Sequence, residues 1–318
     1  MNITITGNLG SGKSSVCREL EKSGFTIISA GDIFRELAAE KGMTVIELNE
    51  AAKKDRSIDD MLDNRSTQLG KKMDHTVFDS RLAWHFVENS FKVFLLVDTQ
   101  EAARRVFNGN DRSAEAYRSI EEAQAGLEAR AGMEQERFQK LYGIDYYDAG
   151  NYDLVIESTC ASPEHIAQEI QRNFELYQVQ PFSTKVELNL KCLYPSVSFG
   201  RMEESGFADA AAQEAGGKQG LCAETPFTII EKNGYHYLQG DHYRAFAAAA
   251  AGKVFARIRA IRTDEEAQRM VEVLSEDDIA RFEQAGRFCY PNNPVRMPKK
   301  TGYMADFSNT LWRCGNND

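Results

Sequence analysis

No two cysteines in this chain have the spacing of a metal knuckle. The six, Cys17, Cys160, Cys192, Cys222, Cys289 and Cys314, lie far apart, and none forms a CxxC pair. That spacing excludes an ordinary zinc module and offers no disulfide framework, so reduced thiols in a cytoplasmic protein are expected. Long apolar runs are also missing. None approaches the ~18 residues that a membrane-spanning helix needs. The opening MNITITG enters a strand with no basic segment and apolar run before it, so no secretory leader is expected. Positive charge is in deficit, with 38 Lys and Arg against 48 Asp and Glu and a formal net charge of −10. Such a chain is a poor non-specific binder of nucleic acid polymers or anionic membranes. A small anionic ligand held by a local cluster of Arg and Lys is the expected partner. The sequence sets no oligomeric state.

The chain has ample apolar material. Its 318 residues are 42% hydrophobic and 27% charged, the composition of an ordinary globular protein. That length favours two domains. Residues 1–178 alternate strand and helix patterns. Strands are predicted over Asn2–Thr6, Phe25–Ser29, His75–Asp79, Phe91–Asp98 and Tyr152–Glu157. Helices are predicted over Lys13–Ser23, Gly31–Lys41, Ser57–Met73, Arg112–Leu141 and about Pro163–Tyr177. The alternation predicts an α/β fold, a doubly wound parallel sheet with helices on both faces.

Near Gln178 the pattern changes, and QVQPFSTK with Pro181 marks a boundary. Residues 179–318 are expected to form a smaller α+β domain with a C-terminal extension. A strand is predicted at Lys185–Leu193, and a helical or loop stretch at Gly200–Gly220. A hairpin over Phe227–Leu238 turns at Lys232-Asn233-Gly234. A helix at His242–Gly252, a strand at Val254–Ile261 and helices at Asp264–Leu274 and Ser275–Ala285 follow. The tail from Pro291 has little periodicity.

The strongest chemical signal is Gly7-Asn8-Leu9-Gly10-Ser11-Gly12-Lys13-Ser14, a GxxxxGK[ST] loop directly after a strand and opening a helix. That context predicts a P-loop NTPase fold binding ATP and Mg2+. Glycines let successive backbone N–H groups turn in around phosphates, where a Cβ would clash. The helix N-terminus adds partial positive charge. Lys13 is expected to meet the β- and γ-phosphates, and the Ser14 hydroxyl to ligate the metal. Gly7, Gly10, Ser11, Gly12, Lys13, Ser14 and Ser15 form the predicted cofactor site.

Beyond that loop, IISAGDIFRELAAEKGM, VFDSRLAWHF, ERFQKLYGID and YDLVIEST follow in order. With GNLGSGKSS they resemble the archaeal-type cytidylate kinases, a branch of the nucleoside monophosphate kinases, over residues 1–178. The resemblance implies transfer of a phosphoryl group from ATP to a nucleoside monophosphate, most of all CMP or dCMP. It implies that Arg35 and Arg81 grip the acceptor phosphate, as a dianion requires a bidentate guanidinium. Ser29 and Asp32 of SAGDIFRE are then substrate-binding, as is Asp153, which would meet the acceptor's sugar or base. Asp79 would hold Mg2+ with Ser14, or hold the acceptor.

Arg112–Leu141 fits a lid, which supplies positive charge and excludes water. Arg130 and Arg137 stand at i, i+7 and match lid arginines, and Arg105 matches one at the lid's root. All three are expected to be catalytic with Lys13. The chain departs from the family at Asn108-Gly109-Asn110 and at Arg130-Ala131-Gly132, where the family carries Arg-Glu. Arg112 or Arg118 are the candidates to compensate.

The segment TPFTIIEKNGYHYLQGDHYRAFAAAAAGKVFARIRAI resembles ParB/sulfiredoxin-like domains over about residues 185–262. Members bind nucleotides, and the resemblance implies a second site at Asp241, His242 and Arg244. The reversed order Gly240-Asp241 and the lack of a cysteine in this turn argue against that family's chemistry. Two alternative functions stand beside the kinase reading. One is a nucleotide-binding regulatory protein with weak or absent turnover. The other is a P-loop kinase of another small acceptor presented by the C-terminal domain.

Overall fold

A computed structural model of the protein describes residues 1–52, 55–109, 117–204, 225–233 and 235–284. The expectations on Arg112, on residues 205–220, on Gly234 of the hairpin turn and on the tail from Pro291 lie outside the described residues. The chain gathers into two compact units. The first holds Met1–Leu96, Asn151–Val155 and Ser162–Ser183. The second holds Val97–Gly150, Ile156–Ala161 and Thr184–Asp318.

In the first unit four strands run parallel in the order β2-β3-β1-β4. They are β1 (Asn2–Gly7), β2 (Thr26–Ser29), β3 (Thr76–Asp79) and β4 (Ser90–Leu96). β1 is buried along its whole length, as expected of a central strand covered on both faces. Ile3, Ile5, Val77, Phe91 and Val93 form the core of this sheet. Helix α1 (Lys13–Lys22) buries Val16, Cys17 and Leu20 on one stripe.

Three further helices follow: α2 (Ala30–Glu40), α3 (Val45–Ala52) and α4 (Ser57–Lys72). They share an apolar cluster of Ala38, Leu48 and Ile58, flanked by Phe34 and Leu37. The sequence reading missed α3, although a capping box announces it. Thr44 Oγ1 accepts from the Glu47 amide at 3.2 Å, and the Glu47 carboxylate accepts from the Thr44 amide at 2.8 Å.

Between β3 and β4 lies the short α5 (Ala83–Phe86). The strand β5 (Leu154–Glu157) carries the division between the units, with Val155 in the first and Ile156 in the second. Helix α8 (Pro163–Val179) packs on α1 within the first unit.

The second unit opens with α6 (Thr99–Asn108), capped by Asp98. Helix α7 (Ile120–Tyr142) has Ser119 as its N-cap and Gly143, at φ 70°, as its C-cap. Within the helical stretch predicted over Arg112–Leu141, α7 begins at Ile120, because the Ser119 hydroxyl accepts from the Glu122 amide and starts that helix. Past β5 come β6 (Lys185–Asn189), β7 (Leu193–Tyr194), α9 (Phe199–Glu204), β8 (Phe227–Lys232) and β9 (Tyr235–Leu238). They are followed by α10 (His242–Ala250), β10 (Phe255–Arg262), α11 (Glu265–Arg269) and α12 (Glu276–Gln284). The strand order is β6-β10-β8-β9-β7. β8 and β9 form the predicted antiparallel hairpin, with Asn233 at φ 55° in its turn.

Glu157 ends β5 and is 4% exposed. Its carboxylate oxygens accept from the amides of Thr159 and Asn189, both at 3.2 Å. Burial pushes its carboxyl above the ordinary 4.5, because a carboxylate loses its hydration there. The folded chain then binds a proton that the unfolded chain has released. Stability from this group is present at low pH and is lost as pH rises from 4.5 through the raised value. In urea titrations across that window, wild type is expected to lose stability relative to Glu157→Gln. Parallel pH slopes for the two proteins would refute this.

Candidate active site

β1 delivers the chain to the candidate site, and Gly7 makes the first bend. Gly7 has φ 151°, and a Cβ there would lie 2.3 Å from the Leu95 carbonyl oxygen. The close approach follows from register, since Gly7 stands opposite Leu95 of β4. The Asn8 amide then donates to that same oxygen at 3.1 Å. Gly10 and Gly12 take φ of 77° and 86°. The Ser11 amide closes the loop on the Asn8 carbonyl at 3.2 Å, and the Ser11 side chain is buried.

Gly12 is the N-cap of α1. It offers no side-chain cap, and no acidic residue stands in the first turn. Those first amides carry the positive end of the helix dipole. Lys13 is half-buried at this end. The Ser15 hydroxyl accepts from Arg18 at 3.1 Å.

Parallel register brings the other strand ends to the same edge. Asp79 stands opposite Ile5 on one side and Ser29 on the other. The Ser14 hydroxyl donates to Asp79 Oδ2 at 3.4 Å. Burial raises the Asp79 carboxyl above its usual range, while Lys13, Ser14 and Arg81 act to lower it. A hydroxyl and a carboxylate side by side are hard oxygen donors of the kind Mg2+ takes. Arg81 donates from Nη1 to the Gly7 carbonyl at 3.2 Å. The Thr6 hydroxyl donates to the Arg81 carbonyl at 3.2 Å. Sequence reading missed Thr6 and Leu95, because their part in shaping the loop depends on strand register alone.

Ser29, Asp32 and Arg35 come together at the start of α2. Ser29 caps the helix, with its hydroxyl accepting from the Asp32 amide at 3.1 Å and donating to Asp32 Oδ2 at 2.6 Å. The Ser29 amide donates to the same Asp32 oxygen at 2.9 Å. These bonds, the Ser29 hydroxyl first, hold the Asp32 carboxyl below its usual range. Arg35 is largely exposed and pairs with Asp32.

Asp153 is corrected. It precedes β5, and its carboxylate accepts from the Lys92 amide at 2.8 Å. Lys92 stands opposite Thr4, three residues before Gly7. That places it roughly 10 Å back along the strand from the loop, at about 3.3 Å per residue. Burial raises the Asp153 carboxyl despite bonds from Lys92 and Tyr177. Asp153 therefore joins two strand beginnings and does not reach the edge where an acceptor would lie.

The three lid arginines belong to the second unit. Arg105 donates from Nε to Glu101 at 2.8 Å and from Nη2 to the Ser158 and Thr159 carbonyls at 2.8 and 2.9 Å. It thereby ties α6 to the end of β5. Arg130 donates to Glu134 at 3.1 Å, one turn along α7. Arg137 is exposed, one residue before the buried Phe138. Arg118, a candidate to compensate, lies just before α7, and its amide donates to Glu122 at 2.6 Å.

The second predicted site is also corrected, because Arg244 turns inward and His242 is committed to Ser196. Asp241 has φ 51° and makes no side-chain cap to α10. It accepts instead from Arg244 Nη2 at 2.9 Å. Arg244 is 7% exposed. It donates to the Thr225 carbonyl at 3.0 Å and lies 4.1 Å over the Phe227 ring. His242 Nε2 accepts from the Ser196 amide at 3.2 Å, with the Ser196 hydroxyl 3.1 Å away. Burial lowers its pKa to about 4, so the ring is neutral at physiological pH. Arg244 and His242 thus bond to the protein itself, while the Asp241 side chain stays half exposed. Among the described residues no helix is long and apolar enough to cross a membrane.

Comparison with known proteins places these features. The sequence profile of the cytidylate kinase-like family matches residues 2–160. A cytidylate kinase of Methanocella arvoryzae is 39% identical over 160 residues, which are 50% of this chain and 88% of that protein. A cytidylate kinase of Natronomonas pharaonis is 34% identical over 180 residues, covering 56% of this chain and 91% of that protein. Among solved structures, the shikimate kinase of Bacteroides thetaiotaomicron aligns with a TM-score of 0.40 and 17% identity, over 56% of this chain and 98% of its own. With the P-loop at the end of β1 and the family's profile running from β1 to the turn after β5, the chain belongs to the cytidylate kinase-like family.

Proposed function

We propose that this protein transfers the γ-phosphoryl group of ATP, bound with Mg2+, to CMP or dCMP, giving ADP and the nucleoside diphosphate. The observation that carries this reading is the uncapped, glycine-shaped start of α1 beside Asp79, within a chain of the cytidylate kinase-like family. Phosphoryl transfer asks for positioning and charge neutralisation more than covalent help. Lys13 and the loop amides receive the donor's phosphates. Ser14 and Asp79 supply oxygen ligands to Mg2+. Arg81 and Arg35 take the acceptor phosphate, with Ser29 and Asp32 shaping the start of α2 beside it. Arg130, Arg137 and Arg105 are assigned to the lid, Arg105 by fixing its root.

Residues 1–178 are proposed as the kinase domain and residues 179–318 as a ParB/sulfiredoxin-like domain. The order β8, β9, α10, β10 supports that second assignment. The inward-turned Arg244 and His242 favour a likeness of fold without its phosphate chemistry.

The test is an acceptor screen of nucleoside monophosphates with coupled detection of ADP. Turnover with CMP or dCMP that requires Mg2+ is expected, at kcat on the order of 1–100 s⁻¹. ATP binding by calorimetry with no turnover on any acceptor would favour the regulatory alternative. Arg105, committed to the chain's own carbonyls, is the observation that keeps that alternative in play.

A further inference from the structure

Two cysteines that the sequence keeps apart meet in the second unit. Cys160 follows the end of β5, and Cys192 closes the short 3-10 turn Leu190–Cys192 after β6. They are separated by 32 positions, yet their Sγ atoms lie 3.5 Å apart. Both are free thiols and both are partly exposed.

Their backbones are fixed on each side. The Glu157 carboxylate accepts from the Thr159 and Asn189 amides, just ahead of each cysteine. Arg105 holds the Ser158 and Thr159 carbonyls, and Thr159 Oγ1 accepts from the Asp98 amide at 2.9 Å. On the other side, the Leu190 amide donates to the Val254 carbonyl at 2.9 Å, and the Lys191 amide to Asn189 Oδ1 at 2.9 Å. The facing thiols are therefore a property of the packed structure. A disulfide needs its sulfurs about 2.05 Å apart, so the two sulfurs have to approach by only about 1.5 Å.

We propose that Cys160 and Cys192 form a redox-active dithiol, a modification site that closes reversibly to an intramolecular disulfide with a small disulfide such as glutathione disulfide as oxidant. The Cys160 thiolate attacks one sulfur of the oxidant and expels one glutathione thiolate. The Cys192 sulfur then attacks Cys160 of the mixed disulfide, loses its proton to solvent and expels the second glutathione. Two protein thiols give up two electrons and two protons, and one small disulfide becomes two thiols. Cys192 acts second. Its thiol donates to Cys160 Sγ at rest, and that bond, burial and the nearby Glu157 push it above the usual range. The proposal stands apart from the kinase reading, because no step involves a nucleotide.

The experiment uses the full-length protein, equilibrated with reduced or oxidised glutathione, quenched by alkylation and mapped by peptide mass spectrometry. In the oxidised buffer a Cys160–Cys192 crosslinked peptide is expected, and dithiothreitol removes it. Closing that loop also raises the thermal midpoint by several degrees. The Cys192→Ser variant is expected to retain glutathione on Cys160, since nothing displaces it. Wild type carrying unresolved glutathione on Cys160 would overturn the proposal. So would both thiols remaining alkylatable, or either one pairing with Cys222, Cys289 or Cys314. The wild-type mapping decides the matter even if a variant folds poorly.

Discussion

Lys13→Ala is expected to lower kcat/KM for CMP phosphorylation by about 10³-fold, of the size of losing one positioned charge from a phosphoryl-transfer site. Lys13 opens α1 directly after the left-handed Gly12 and is half-buried. An ammonium there meets charge that builds on the transferring phosphoryl group, in surroundings that screen it less than water does. The same charge acts on Asp79, where it opposes the rise that burial causes. Removing Lys13 therefore raises the Asp79 carboxyl further and weakens its hold on Mg2+ as well. The loss should fall mainly on kcat, with a smaller increase in KM for ATP. Lys13→Arg should fail to restore activity, because a planar fork does not replace a compact point charge. Coupled ADP detection measures the loss, and an unchanged thermal midpoint shows that the fold survives. Activity within tenfold of wild type would remove Lys13 from the mechanism.

Gly7→Ala is expected to cost about 3 kcal/mol of stability, the range of substitutions that force backbone strain and overpacking. The added Cβ would meet the Leu95 carbonyl oxygen at 2.3 Å and the Leu95 nitrogen at 2.9 Å. Both are backbone atoms in the centre of a sheet, so neither can swing aside. The φ of 151° is itself unfavourable for a residue with a Cβ. Relief requires β1 to separate from β4, which breaks the Asn8 amide bond to the Leu95 carbonyl and moves the phosphate loop. Loss of ATP binding should therefore accompany the loss of stability. Urea titration and calorimetry with an ATP analogue measure the two effects. Gly132, where an added Cβ would meet nothing within 4 Å beyond its chain neighbours and its own helix backbone, is the matched control. Its change to Ala adds a good helix former in α7 and should be neutral or mildly stabilising. Equal effects at Gly7 and Gly132 would defeat the argument.

Much of the fold was legible because the relevant forces are local. The β-branched run at Asn2–Gly7, the long apolar run at Ser90–Leu96 and the Asn-Gly pair in the sequence at 233–234 mark their elements without tertiary help. The phosphate loop was legible for the same reason, since its glycines, lysine and serine are contiguous. Asp153 was misread. Its position in YDLVIE matches the family's order, but a sequence motif does not say which end of a strand a side chain serves. His242 and Arg244 were expected at a second site, and their partners within the fold could not be read for a similar reason. A helix N-terminus looks the same in sequence whether solvent or Phe227 and Ser196 lie against it.

By itself the sequence determined the parallel α/β core and the polyphosphate loop, because hydrophobic periodicity and glycine placement act over a few residues. Tertiary structure alone decided which side chains converge. Strand register set Asp79 beside Ser14 and Leu95 over Gly7, and it turned Asp153 away. It also brought Cys160 to Cys192 across 32 positions. Such meetings depend on how separate segments align in the sheet, and that alignment is fixed by summed burial over the whole core, which no single stretch of sequence carries.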